Sequence, residues 1–173
     1  MSTHSNPYVQ GGWYGASSFT LGPDQNADPP SAYGALPMLN TTDASDENLA
    51  GYTAFRDAEG RSIALIEWTA RPAVEVRGAV VKSSASEWVK VEQDPIFGRP
   101  VRRMEVRGAK FVWCPNGEAL LLFTQAPSSI PLVVVTKQKH VVDLEMSEQA
   151  LARGLLEPCI VAVTLLLSGR RLE

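Results

Sequence analysis

The chain has 173 residues, 45% of them hydrophobic and 20% charged, with a formal net charge of −3 and a sequence pI of about 5.5. That length suits one domain with a tail. The apolar content rules out disorder throughout, and the near-neutral balance argues against a dedicated nucleic-acid binder, which carries a strong basic excess. Two cysteines cannot build a disulfide-dense scaffold, and neither opens a C-x-x-C pair of the kind that signals zinc.

Residues 1–47 read as a mostly flexible acidic arm, rich in Ser, Gly, Pro, Asn and Asp, with no sustained period of 2 or 3.6. Pro23-Asp24, Pro29-Pro30 and Leu36-Pro37 would interrupt any ladder or helix. Residues 1–60 hold seven acids and one base, Arg56, whereas residues 61–173 hold 15 bases and 12 acids. The aromatics of the arm (Tyr8, Trp13, Tyr14, Phe19, Tyr33) either pack back on their own domain or recognise a partner. Met1 to Gly15 has neither a basic n-region nor an apolar run, so neither a secretory nor a mitochondrial signal is read there. With two unpaired-looking thiols besides, the expected location is cytoplasmic.

Residues 48–173 read as one domain, strand after strand. Tyr52–Arg56 and Ser62–Trp68 flank the turn Asp57-Ala-Glu-Gly60 and predict a hairpin. Pro72 ends that unit, and Ala73–Arg77 and Ala79–Val81 follow. Glu87–Glu92 alternates, with Trp88 off-phase against Val89 and Val91. Val101–Arg107, Lys110–Cys114 and Glu118–Thr124 come next, the last two joined by Pro115-Asn-Gly117, a strong turn signal because Asn-Gly supplies positive φ. Ile130–Val135 and His140–Glu145 complete nine or ten short strands.

Ser147 caps a helix predicted over Ala150–Leu167, broken or kinked near Gly154 or Pro158. Its second half, Cys159–Leu167, is apolar on all sides. Such a helix must be surrounded by lipid or by protein interior. Nine residues are too few to span a bilayer, which takes about 20. A sheet is therefore expected to wrap around it, which also accounts for the continuous apolar runs Leu120–Phe123 and Leu132–Val135.

Gly60–Trp68 with its Ile-Glu-Trp ending, Ser86–Val91, Arg107–Trp113 and Leu155–Leu167 before Arg170-Arg171 together resemble a family of domains from mushroom-forming fungi. That family is similar to the tubby and LURP-one-related proteins and to the phospholipid scramblases. The resemblance covers about residues 48–173. It implies an antiparallel β-barrel, closed or nearly so, threaded by a hydrophobic C-terminal helix. Pro158 inside that helix departs from the family pattern, and no tubby phosphoinositide motif can be laid on the chain, so no functional residue is carried over.

Among candidate chemistries, Arg99, Arg102, Arg103, Arg107 and Lys110 lie close together in sequence, opposed by Glu105. They are the expected site for an anionic lipid headgroup. The competing reading is a solvated face on which Glu105 pairs with its neighbours. A Cys/His enzyme would need His140, Asp143 and a thiol to converge, yet residues three apart on a strand point to opposite faces. No metal-ligand spacing and no phosphate loop is present. Trp68, Trp88 and Trp113 read as packing groups. The expectation is a non-enzymatic binding module without cofactor, whose partner is an anionic phospholipid or, through the arm, another protein.

Overall fold

The computed structural model describes residues 16–20, 51–94, 98–125, 130–138 and 141–172. The chain is mainly β, built as two antiparallel sheets with a C-terminal helix between their inner faces. A four-stranded sheet runs in chain order through β2 (Tyr52–Arg56), β3 (Ser62–Glu67), β4 (Ala73–Val76) and β5 (Val80–Ser84). A seven-stranded sheet contains β6 (Val89–Asp94), β7 (Arg99–Val106), β8 (Ala109–Asn116), β9 (Ala119–Thr124), β10 (Val133–Gln138) and β11 (Val141–Met146), neighbours in that order. Its far edge is β1 (Ala16–Thr20), paired antiparallel with β11. Pairing between the two sheets is not seen among the described residues.

The helical end forms as two pieces, α2 (Glu148–Ala152) and α3 (Leu156–Leu167). Ser147 Oγ accepts the Ala150 N–H at 3.2 Å and caps α2. Gly154, at φ +63°, breaks the run, because that backbone region is open to glycine at little cost. Pro158 is the third residue of α3. Its missing N–H falls among the first-turn donors that lack an intrahelical partner anyway, so the helix continues through it.

Residues Pro158 to Leu165 of α3 are all buried. They share one core with Phe55, Ile66 and Val74 of the smaller sheet and with Met104, Phe111, Trp113, Leu122, Val135 and Leu144 of the larger one. Both sheets thus turn an apolar face to the helix, as its all-round hydrophobicity demands. Thr164, the polar exception, returns its hydroxyl to Ile160 O at 2.8 Å.

Two elements differ from the sequence reading. Glu87–Glu92 is not one strand: Ala85–Trp88 forms a single helical turn, α1, and β6 begins at Val89. Trp88 is out of phase because it belongs to that turn, where it is buried and its Nε1 donates to Glu105 O at 2.9 Å. Eleven strands occur among the described residues, one more than the upper count, because Ala16–Thr20 within the predicted arm pairs with β11. The rest of residues 1–47 lies outside the described residues.

Leu165 is 1% exposed and Leu151 on α2 is 44% exposed. In urea denaturation, Leu165→Ala should destabilise the fold by about 2–5 kcal/mol through cavity formation, and Leu151→Ala by no more than about 0.5 kcal/mol.

Candidate functional site

The five basic residues singled out in sequence fall into separate environments. Met104 and Val106 belong to the core, so Arg103 and Glu105 occupy the outer face of β7. Arg103 donates through Nε to Glu92 and through Nη2 to Asp94 Oδ2 at 3.0 Å. The Asp94 side chain is 5% exposed, so the arginine neutralises a buried carboxylate rather than facing a ligand. Arg102 has the inner-face phase, and its Nη1 donates to Val89 O at 3.1 Å. Arg99 is exposed and sits across from Asp94 in the register, and Lys110 sits across from Glu105. Arg99, Arg103 and Lys110 therefore share a face with acids interleaved, and Arg102 and Arg107 do not join them.

Arg107 heads a different grouping. It occupies φ +50° and Gly108 φ +79° between the paired residues Val106 and Ala109. Positive φ at both central residues is what a two-residue hairpin of type I′ requires. A non-glycine residue there is uncommon, and the side chain is well anchored. Its Nε donates to Gly78 O at 3.0 Å, and its Nη1 donates to Arg153 O at 3.2 Å and Gly154 O at 3.4 Å. One guanidinium thus joins the β7–β8 hairpin, the β4–β5 turn and the α2–α3 corner. A Cβ on Gly154 would collide with Nη1, whereas one on Gly78 would meet open space.

All three Arg-Gly dipeptides of the sequence, Arg77-Gly78, Arg107-Gly108 and Arg153-Gly154, meet at this corner. Arg77, Arg107 and Arg153 are exposed, and among the described residues none of them is in an ion pair. Lys110 follows Gly108 by two residues on the same hairpin. The sequence reading found Arg107 and Lys110 but missed Arg77 and Arg153, which are remote in sequence. The repeated Arg-Gly at predicted turns was the available signal.

Other chemistries find little here. Burial pushes the Cys159 thiol far up, and burial likewise raises Cys114; both are 0% exposed, so neither is set up as a thiolate. His140 lies outside the described residues. Among the described residues no group of three His, Cys, Asp or Glu side chains is placed to hold a metal. A cleft between β2–β3 and α3, lined by Phe55, Arg56, Ile63, Ala64, Glu157, Ile160 and Val161, encloses about 10 Å³, roughly the space for one water. Trp113 is fully buried. Trp68 donates to Thr53 Oγ1 at 2.7 Å, with the Arg170 guanidinium 4.8 Å above its ring, a cation–π contact that ties the chain after α3 to the smaller sheet.

Two comparisons check these assignments. Gly154→Ala should cost about 1–3 kcal/mol, combining the positive-φ penalty with displacement of Arg107, and Gly78→Ala only about 1 kcal/mol for the backbone alone; chemical denaturation measures both. Arg103→Ala, which leaves Glu92 and Asp94 without their shared cation, should cost about 2 kcal/mol or more, and Arg99→Ala no more than about 0.5 kcal/mol.

Comparison of the chain with known proteins returns no match to a family model, to a curated sequence or to a solved structure, so the reading of this corner rests on its own geometry.

Proposed function

We propose that the chain is a non-enzymatic module of the tubby and LURP-one-related kind that binds a phosphate-bearing anionic lipid headgroup at a membrane surface. Its corner of Arg77, Arg107 and Arg153, with Lys110 beside it, is the contact. The observation that carries this reading is that the Arg107 guanidinium draws three Arg-Gly turns to one corner, each with an exposed arginine free of ion pairs among the described residues. Guanidinium groups present planar forks suited to phosphate oxygens. The ordered turns beneath them reduce what binding must freeze. No helix among the described residues is long and apolar enough to cross a membrane, and the contact proposed is a peripheral one.

The barrel architecture belongs to the same proposal. Two sheets facing one enclosed helix, with that helix following all the described strands, fit a shell around a plug. Two buried free thiols suit a reducing, cytoplasmic setting.

Cosedimentation with phosphatidylcholine vesicles, with and without phosphatidylserine, tests the reading. Binding should require phosphatidylserine and weaken as salt is raised. Each basic residue near such a surface contributes about 1 kcal/mol, so Arg77→Gln/Arg153→Gln should lower binding about tenfold or more. Arg99→Gln, at a different site, should change it by a few-fold at most. Equal binding to phosphatidylcholine alone, or indifference to the double substitution, overturns the proposal.

A further inference from the structure

The Arg107 corner lies at one end of α3, and a second group of arginines lies at the other. The 12 residues of α3 rise ~18 Å. The corner precedes the first turn, at Arg153 and Gly154, and Ser168 caps the last. Strand β4 repeats the arrangement in the smaller sheet: Arg77 follows it at the corner, and Arg71 precedes it at the far end.

The far end is ordered. Leu172 is 5% exposed and joins the core, which holds the chain after α3 in place, and Arg170 lies over the Trp68 ring. Arg71 shares the β3–β4 connection with Trp68, and Thr69 Oγ1 donates to Arg71 O at 2.7 Å. The Trp68 N–H donates to Gly51 O, so Tyr52, the next residue, stands at this end too, 41% exposed. Arg71, Arg170 and Arg171 are exposed, and among the described residues none of them is in an ion pair. Arginines beside a tryptophan and a tyrosine suit a membrane–water interface, where aromatic rings sit at headgroup level and the cations meet anionic lipid.

We infer that this end is a second contact for an anionic bilayer, so that the chain bridges two membranes, the corner on one and Arg71, Arg170 and Arg171 on the other. The inference rests on the reading of the corner as a lipid contact. The surfaces between the ends disfavour a single bilayer serving both. Val74 and Val76 face the core, so the exposed Glu75 stands on the outer face of β4, between Arg71 and Arg77. On the outer face of the larger sheet, Glu105 is exposed among the bases. Either sheet laid on an anionic bilayer would press carboxylates against it. At physiological ionic strength charges are screened over ~8 Å, less than the length of α3, so each end meets its own surface independently.

Vesicles of phosphatidylcholine with phosphatidylserine test this, with dynamic light scattering reading clustering and cosedimentation reading binding. The full chain should cluster them, and raised salt should disperse the clusters. Arg71→Gln/Arg171→Gln should lower clustering about tenfold or more while cosedimentation stays within about twofold, because the corner still binds. Arg77→Gln/Arg153→Gln should lower both. Binding without clustering by the unsubstituted chain, undiminished clustering by Arg71→Gln/Arg171→Gln, or an equal loss of clustering and binding in that variant overturns the inference and leaves the corner reading standing. An unsubstituted chain that sediments as a dimer in solution, with Arg71→Gln/Arg171→Gln a monomer, assigns the bridging to self-pairing and overturns it as well. A chain that fails to sediment with these vesicles at all overturns the corner reading, and the bridge with it.

Discussion

An α-helix that is apolar around its whole circumference has no face to give to water, and this constraint organises the protein. Residues Pro158 to Leu165 of α3 are buried throughout, and each side of the helix therefore needs an apolar counterpart. One sheet supplies a single side, so two are needed, and the phase of every strand follows. Phe111 and Trp113 must face α3, which turns Val112 and Cys114 the other way. The inner faces are fixed by packing the helix, and the outer face of the larger sheet inherits what the alternation leaves.

With the faces occupied by packing, the positions free for other work are the turns. Arg107 shows how a turn acquires order without a core beneath it. Its guanidinium satisfies carbonyls at the β4–β5 turn and at the break between α2 and α3, groups that would otherwise rely on water. Glycines at 78, 108 and 154 supply the left-handed backbone at the three sites. The arginine preceding each glycine is thereby brought to one corner.

Much of this was legible in the sequence because it is local. The apolar run Cys159–Leu167, too short for a bilayer and too long for one strand, indicated an enclosed helix, and the hairpins around Gly60 and Gly117 follow from turn chemistry. Trp88 was misleading since Ser84-Ala-Ser-Glu87 carries little helical signal over one turn, and only packing decides its conformation. The Ser- and Thr-containing stretch Ala16–Thr20 gave no pattern, its strand being stabilised by an edge that β11 provides. The basic cluster failed as a unit for a geometric reason: Arg102 and Arg103 are neighbours in sequence and therefore lie on opposite faces of β7. The corner itself joins positions 77, 107 and 153, a proximity that no local period encodes.

The position of α3 in the chain has a consequence for biogenesis. Translation delivers every strand of the described sheets before the helix that both of them enclose, at about 5–20 residues per second. Throughout that interval the inward faces around Ile66, Trp113 and Leu144 have no partner to seal them. Nascent chains are therefore sticky until α3 has been made, and cooperative folding of the two sheets waits for that helix rather than proceeding strand by strand as the polypeptide emerges.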